Sequence, residues 1–157
     1  TPEGQQRAFA KLDTIRDNVV WFDSWSQAPV LLNDGGAVIV QSANGRIFDA
    51  VVQENRPFEM VFDGQLFDLD VWAIVRGSSK IDLAHEFIAF ATGTVPLAGM
   101  QDVAYGPTRQ SSNALVDPAV VPFLPSSHID IGLKADGVFW ADFGETLGEQ
   151  FNEWLLR

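Results

Sequence analysis

Apolar positions along the chain follow two spacings, one helical and one extended. Thr1-Pro2-Glu3 predicts a helix start, with Thr as the cap and Pro in the first turn. Phe9, Leu12 and Ile15 continue it as an apolar stripe, while Arg7, Lys11 and Asp13 fall elsewhere. Val19–Phe22 is a short β-rich run. Ser26–Leu32 reads as a short helix, stopped by Asp34-Gly35-Gly36. Ala37–Gln41 is a compact apolar run, which predicts a strand buried on both faces. Asn44–Gln53 reads as a helix with Ile47, Phe48, Val51 and Val52 inward. Phe58–Phe62 predicts another strand, set off by Pro57 and Asp63-Gly64.

Leu66–Val75 is the longest predicted strand. A helix follows, in which Ser79 and Asp82 have capping-box spacing and Ile81, Ala84, Phe87, Ile88 and Ala91 share a face. Pro96–Val103 reads as one more short helix, and Tyr105–Ser112 as turn-rich. Asp117–Leu124 is a short helix or turn, and Pro125-Ser126-Ser127 a loop. The chain closes with an amphipathic helix: Trp140, Leu147, Phe151, Trp154 and Leu155 inward, Glu145, Glu149 and Glu153 to water. Helices alternating with short apolar strands predict an α/β fold with a largely parallel sheet covered on both faces. Ligands of such sheets bind beyond the carboxyl ends of strands; Gln41 ends one predicted strand, and Asp68 and Asp70 sit in another.

Composition narrows the function classes. The 157 residues amount to one ordinary domain, and 46 % hydrophobic content can build a core. Ten basic against 21 acidic residues give a net charge of −11. That argues against a nucleic-acid partner, whose phosphates need clustered Lys and Arg, and against docking on an anionic leaflet. A cationic ligand is favoured at long range. Without cysteine, disulfides, thiolate catalysis and cysteine metal sites are excluded. No apolar run approaches the roughly 18 residues of a membrane span. The start, TPEGQQRAF, lacks a signal-peptide layout, so any such signal is expected outside these residues.

Chemistry concentrates in Gly64–Val75. On a strand, Asp68 and Asp70 point to one side, and Phe67, Leu69 and Val71 to the other. Two carboxylates on one face of an apolar strand require compensation. A solvated strand end, a pairing with Arg46 or Arg76, a cationic amine or a metal would each supply it; the calcium-loop spacing is absent. Five Trp and twelve Phe against one Tyr are mostly core, although a Trp face also holds an ammonium. The lone Tyr105 sits in the loop Ala104-Tyr105-Gly106-Pro107-Thr108, as a ligand contact or a loop anchor. The nucleophile elbow, the Walker loop and the dinucleotide fingerprint are all absent. His85 and His128 lack partners at metal spacing.

Several ordered runs resemble periplasmic solute-binding proteins of ABC transporters, above all the spermidine/putrescine-binding branch. They are Ser26–Gly35 followed by Ala37–Gln41, the strand Leu66–Val75 leading to a helix with Ala84, Phe87 and Ile88, and Tyr105-Gly106-Pro107-Thr108. The ending Phe139–Asp142 with Phe151–Leu155 completes the series. The resemblance implies a periplasmic-binding-protein-like (type II) α/β sandwich, of which this chain is the C-terminal half. Residues 1–67 would belong to the second lobe, 68–118 to the crossing strand and first lobe, and 119–157 to the second lobe again. It implies a non-catalytic, periplasmic protein that closes on a small cationic solute and delivers it to an inner-membrane permease. No cofactor, metal, nucleic acid or membrane insertion is implied, and the isolated half could form an oligomer. The implied ligand contacts are Asp70, Asp68, Tyr105, Gln41, Ser26, Ser24 and Trp140. Gln41 and Asp68 stand where the polyamine branch has aromatics. Two rivals are a hydrolase using Asp68 and Asp70 as an acid–base pair and a pure interaction module.

Overall fold

The structure, a computed structural model, describes every residue from Thr1 to Arg157. It divides into two compact units, residues 1–23 with 136–157, and residues 24–135.

The first unit is built from helix α1, Pro2–Asp13, and helix α7, Gly137–Leu155. Helix α1 begins as its sequence predicts, and α7 carries a cap of the same kind at Asp136. Thr1 accepts the Gly4 N–H at 3.2 Å, and the Asp136 carboxylate accepts those of Val138 and Phe139 at 3.0 and 3.1 Å. Trp154 is the centre, only 3 % exposed. Its indole N–H donates to Asp13 at 2.7 Å, and the Arg16 guanidinium lies 4.5 Å from the ring centroid. Arg16 also donates to the Leu155 carbonyl at 3.1 Å. Trp21 meets Phe151 and Trp154 edge-on at 5.3 and 5.7 Å.

Two expectations fail here. Val19–Phe22 forms no strand: no ladder runs beside it, and Trp21 is fixed by ring packing instead. Trp140 does not pack inward but is half exposed, with its ring edge-on to Phe139 at 5.5 Å.

The second unit holds α2 (Gln27–Asn33), α3 (Asn44–Phe48), β1 (Leu66–Phe67), α4 (Ile81–Ala91), α5 (Thr94–Ala98), α6 (Gln110–Asn113) and β2 (Leu133–Lys134). Helix α2 ends where expected, with Gly35 at φ +71°. Helix α3 runs on through one π turn, Asp49–Gln53, so the predicted 44–53 span is helical throughout. Its inward face is Ile47, Phe48 and Ala50, while Val52 is exposed. Phe48, Ala104, Val116 and Leu124 form the core, against which Met60, Val120 and Phe123 pack. The sheet is a parallel pair, with Leu66 opposite Leu133 and Phe67 opposite Lys134.

The extended predictions shrink most. Leu66–Val75 pairs only at Leu66 and Phe67, and neither Ala37–Gln41 nor Phe58–Phe62 joins a ladder. Val38 is 93 %, Ile39 86 % and Val71 83 % exposed, the opposite of strands buried on both faces. An extended segment satisfies its backbone only through a neighbour, and the neighbour this unit supplies is Leu133–Lys134. The capping box is also absent. The N-cap of α4 is one residue later, Lys80, with no side-chain cap, and it is Ser78 that accepts the Lys80 N–H at 3.2 Å. On its predicted inner face Ala84, Ile88 and Ala91 are half-buried, but Ile81 and Phe87 are exposed.

Candidate functional site

Asp68 follows directly on β1. The Phe67 carbonyl accepts the Ala135 N–H at 2.8 Å, which holds the strand exit against the end of β2. Asp68 is exposed, and its carboxylate accepts the next N–H, that of Leu69, at 2.8 Å. Asp70 is exposed too. Neither joins a salt bridge: the ion pair of the structure is Arg56 with Glu54 at 3.1 Å, and Arg46 and Arg76 do not neutralise the acids. Asp70 and the second oxygen of Asp68 thus stay open to a cation from outside.

Tyr105 is built in from both sides. The turn Gly99–Val103 ends at Ala104, which adopts the left-handed conformation (φ +57°) although it is not glycine. Ala104 is fully buried in the core. The Tyr105 N–H donates to the Met100 carbonyl at 3.0 Å. On the other side stands the first turn of α3. The Asn44 carboxamide donates to the Ala104 carbonyl at 2.6 Å. A Cβ on Gly45 would stand 2.8 Å from the Val103 carbonyl oxygen and 3.7 Å from the Tyr105 ring. A Cβ on Gly106 would meet the Ser126 Cβ at 2.7 Å. Glycine is therefore required at both places for the loop to close on its neighbours. Tyr105 itself stays 41 % exposed.

Gln41 is exposed and precedes Asn44, the first residue of α3, by three residues. Ser24 and Ser26 pair through their hydroxyls at 2.8 Å, and both are exposed. These four candidates and the two acids all lie in residues 24–135. Neither acid shares a hydrogen bond with any other candidate. Trp140 lies in the other unit, beside a groove of about 550 Å³ between α1 and α7, lined by Phe9, Leu12, Leu147 and Phe151. Gly144 and Gly148, one turn apart on α7, leave that groove open, and no charged side chain lines it. Asn44 and Gly45 are the residues that reading the sequence passed over. An Asn-Gly pair opening a helix directly after an apolar run was the available signal.

No three acidic or imidazole side chains gather where they could hold a metal ion. No helix is long and apolar enough to cross a membrane.

A family model described as bacterial extracellular solute-binding protein matches residues 1–122. The gamma-aminobutyric acid-binding protein of Pseudomonas aeruginosa is 38 % identical over 160 residues, covering all of this chain and 45 % of that relative. Among solved structures, a GABA receptor superposes with a TM-score of 0.80 at 27 % identity, covering 96 % of this chain and 47 % of the other. AgtB from A. tumefaciens in complex with agropinic acid superposes at 0.79 and 27 %, covering 98 % and 49 %. The chain spans about half the length of these relatives. The α/β periplasmic-binding-protein-like fold expected from the sequence, as half of a longer architecture, is thereby shown. The chain belongs to the bacterial extracellular solute-binding protein family.

Proposed function

We propose that the protein is the periplasmic solute receptor of an ABC importer and takes up a short amine-bearing solute, an ω-amino acid of the GABA kind. It is a binder rather than a catalyst. Residues 1–67 and 119–157 form its second lobe, and residues 68–118 the crossing strand and part of the first. Closure of the lobes traps the solute for an inner-membrane permease. The observation that carries this reading is the pair Asp68 and Asp70, both exposed and neither held by an arginine. In that role Asp70 takes the ammonium group, with Asp68 beside it. Tyr105 packs on the solute, and Gln41, Ser24 and Ser26 supply hydrogen bonds. The relatives named for GABA support the chemistry.

The same residues favour a short solute over a polyamine. A long run of methylenes is best held between aromatic faces, and Gln41 and Asp68 offer hydrogen bonds and charge instead. Calorimetry of the full-length protein with GABA and with putrescine tests this directly. GABA binding more tightly than putrescine is the expected result; the reverse order returns the site to the polyamine class. Asp70→Asn should lower GABA affinity about a hundredfold, as for a charged partner lost from a desolvated pair, while the melting temperature stays within a few degrees. Unchanged affinity removes Asp70 from the site.

A further inference from the structure

The first turn of α3 does more for the Tyr105 loop than helix propensity asks of it. Asparagine and glycine are both weak helix formers, and here they stand side by side at its start. The Asn44 side chain makes no cap to its own helix; its amide is spent on the Ala104 carbonyl, 60 residues away, at 2.6 Å. Gly45 brings the helix backbone to the Val103 carbonyl more closely than any Cβ would permit. The residue so gripped, Ala104, is a non-glycine in the left-handed region, a conformation that costs about 1–2 kcal/mol and persists only when its surroundings impose it. Its methyl group is buried in the core with Phe48, Val116 and Leu124, and its carbonyl is held by Asn44. The next residue is Tyr105, whose ring direction is set by the ψ of Ala104 and by the bare Gly45 surface beside it.

We infer that Asn44 and Gly45 are positioning residues for solute recognition: they fix the left-handed turn at Ala104 and so aim the Tyr105 ring. The inference rests on the reading of Tyr105 as a solute contact made above, and it adds two residues that touch no solute.

Tyr105 is the single tyrosine of the chain, so 3-fluorotyrosine labelling gives one fluorine resonance. Asn44→Asp keeps the shape but loses the donor, and Gly45→Ala adds the forbidden Cβ. Each should move that resonance by more than its linewidth, with the far-UV circular dichroism unchanged. Thr14→Ala, remote from the loop in sequence and hydrogen-bonded instead to the Lys11 carbonyl, is the control that should leave it in place. In the full-length protein Asn44→Asp should lower GABA affinity about tenfold, the scale of one hydrogen bond's worth of misplacement. Tyr105→Ala should lower it as well, and the double variant should bind no worse than Tyr105→Ala alone. A resonance unmoved by both substitutions in folded protein overturns the seat. Losses that add in the double variant overturn it too, because Asn44 then acts independently of Tyr105. A Tyr105→Ala protein that binds GABA normally overturns the role of Tyr105 itself, an outcome recognisable because the fluorine shifts are unaffected by it.

Discussion

The α1–α7 unit and the extended segments of the second unit carry similar apolar residues, with opposite fates. In the first, Trp154 is buried, its indole N–H is satisfied by Asp13, and Arg16 covers its ring. In the second, Val38, Ile39 and Val71 stand almost fully in solvent on backbone that joins no ladder. A helix closes its hydrogen bonds within its own residues, so a sequence that codes for it produces it. A strand depends on a neighbour that its own residues do not encode. Hydrophobic runs of equal strength therefore yield structure in one place and only an extended path in the other.

The contrast can be broken by mutation. Trp154→Ala should have the largest effect, lowering stability by about 4 kcal/mol through the loss of a central aromatic and the void it leaves. Urea denaturation followed by circular dichroism measures this, and a loss below about 1 kcal/mol would place the stability of the chain elsewhere. Asp13→Ala should cost about 1–2 kcal/mol in the same assay, because the buried indole N–H then has no partner. Asp136→Ala removes a cap that serves two N–H groups and should cost about 1 kcal/mol. Val38→Ser and Val71→Ser should change stability by less than about 0.5 kcal/mol, since both side chains already face water. Hydrogen exchange sharpens the same comparison: the amides of 38–40 should exchange rapidly, and those in the middle of α7 slowly. Equal protection of the two would mean that the extended segments are paired.

The sequence disclosed much of this molecule, unevenly. Helices α1, α2 and α4 stand within a residue or two of their expected places, because caps, prolines and a 3.6-residue stripe are local signals. The parallel pairing of Leu66–Phe67 with Leu133–Lys134 went unread, since β2 is only two residues long and the alternation Ile129, Ile131, Leu133 around it does not say which segment it pairs with. The capping role expected of Ser79 failed because a spacing does not fix which residue turns the chain; Ser78 does so instead. At the candidate site, the two acids and the tyrosine were legible as residue types out of place on an apolar run and in a glycine-proline loop. The Asn44 grip on Ala104 was not, because it joins positions 60 residues apart and depends on a backbone angle that no side-chain pattern reports.

The indole that Asp13 holds lies 141 positions further along the chain, and the carbonyl that Arg16 holds lies 139 positions on. During synthesis α1 is therefore made well before the residues that complete its packing. A twelve-residue helix on its own is marginal in water, so α1 must fluctuate until the ribosome releases the closing residues. Residues 24–135 can meanwhile assemble around Phe48 and Leu124, all of whose contacts are already available. Nascent chains stalled before Trp154 should therefore carry a finished second unit and an α1 segment still open to proteases.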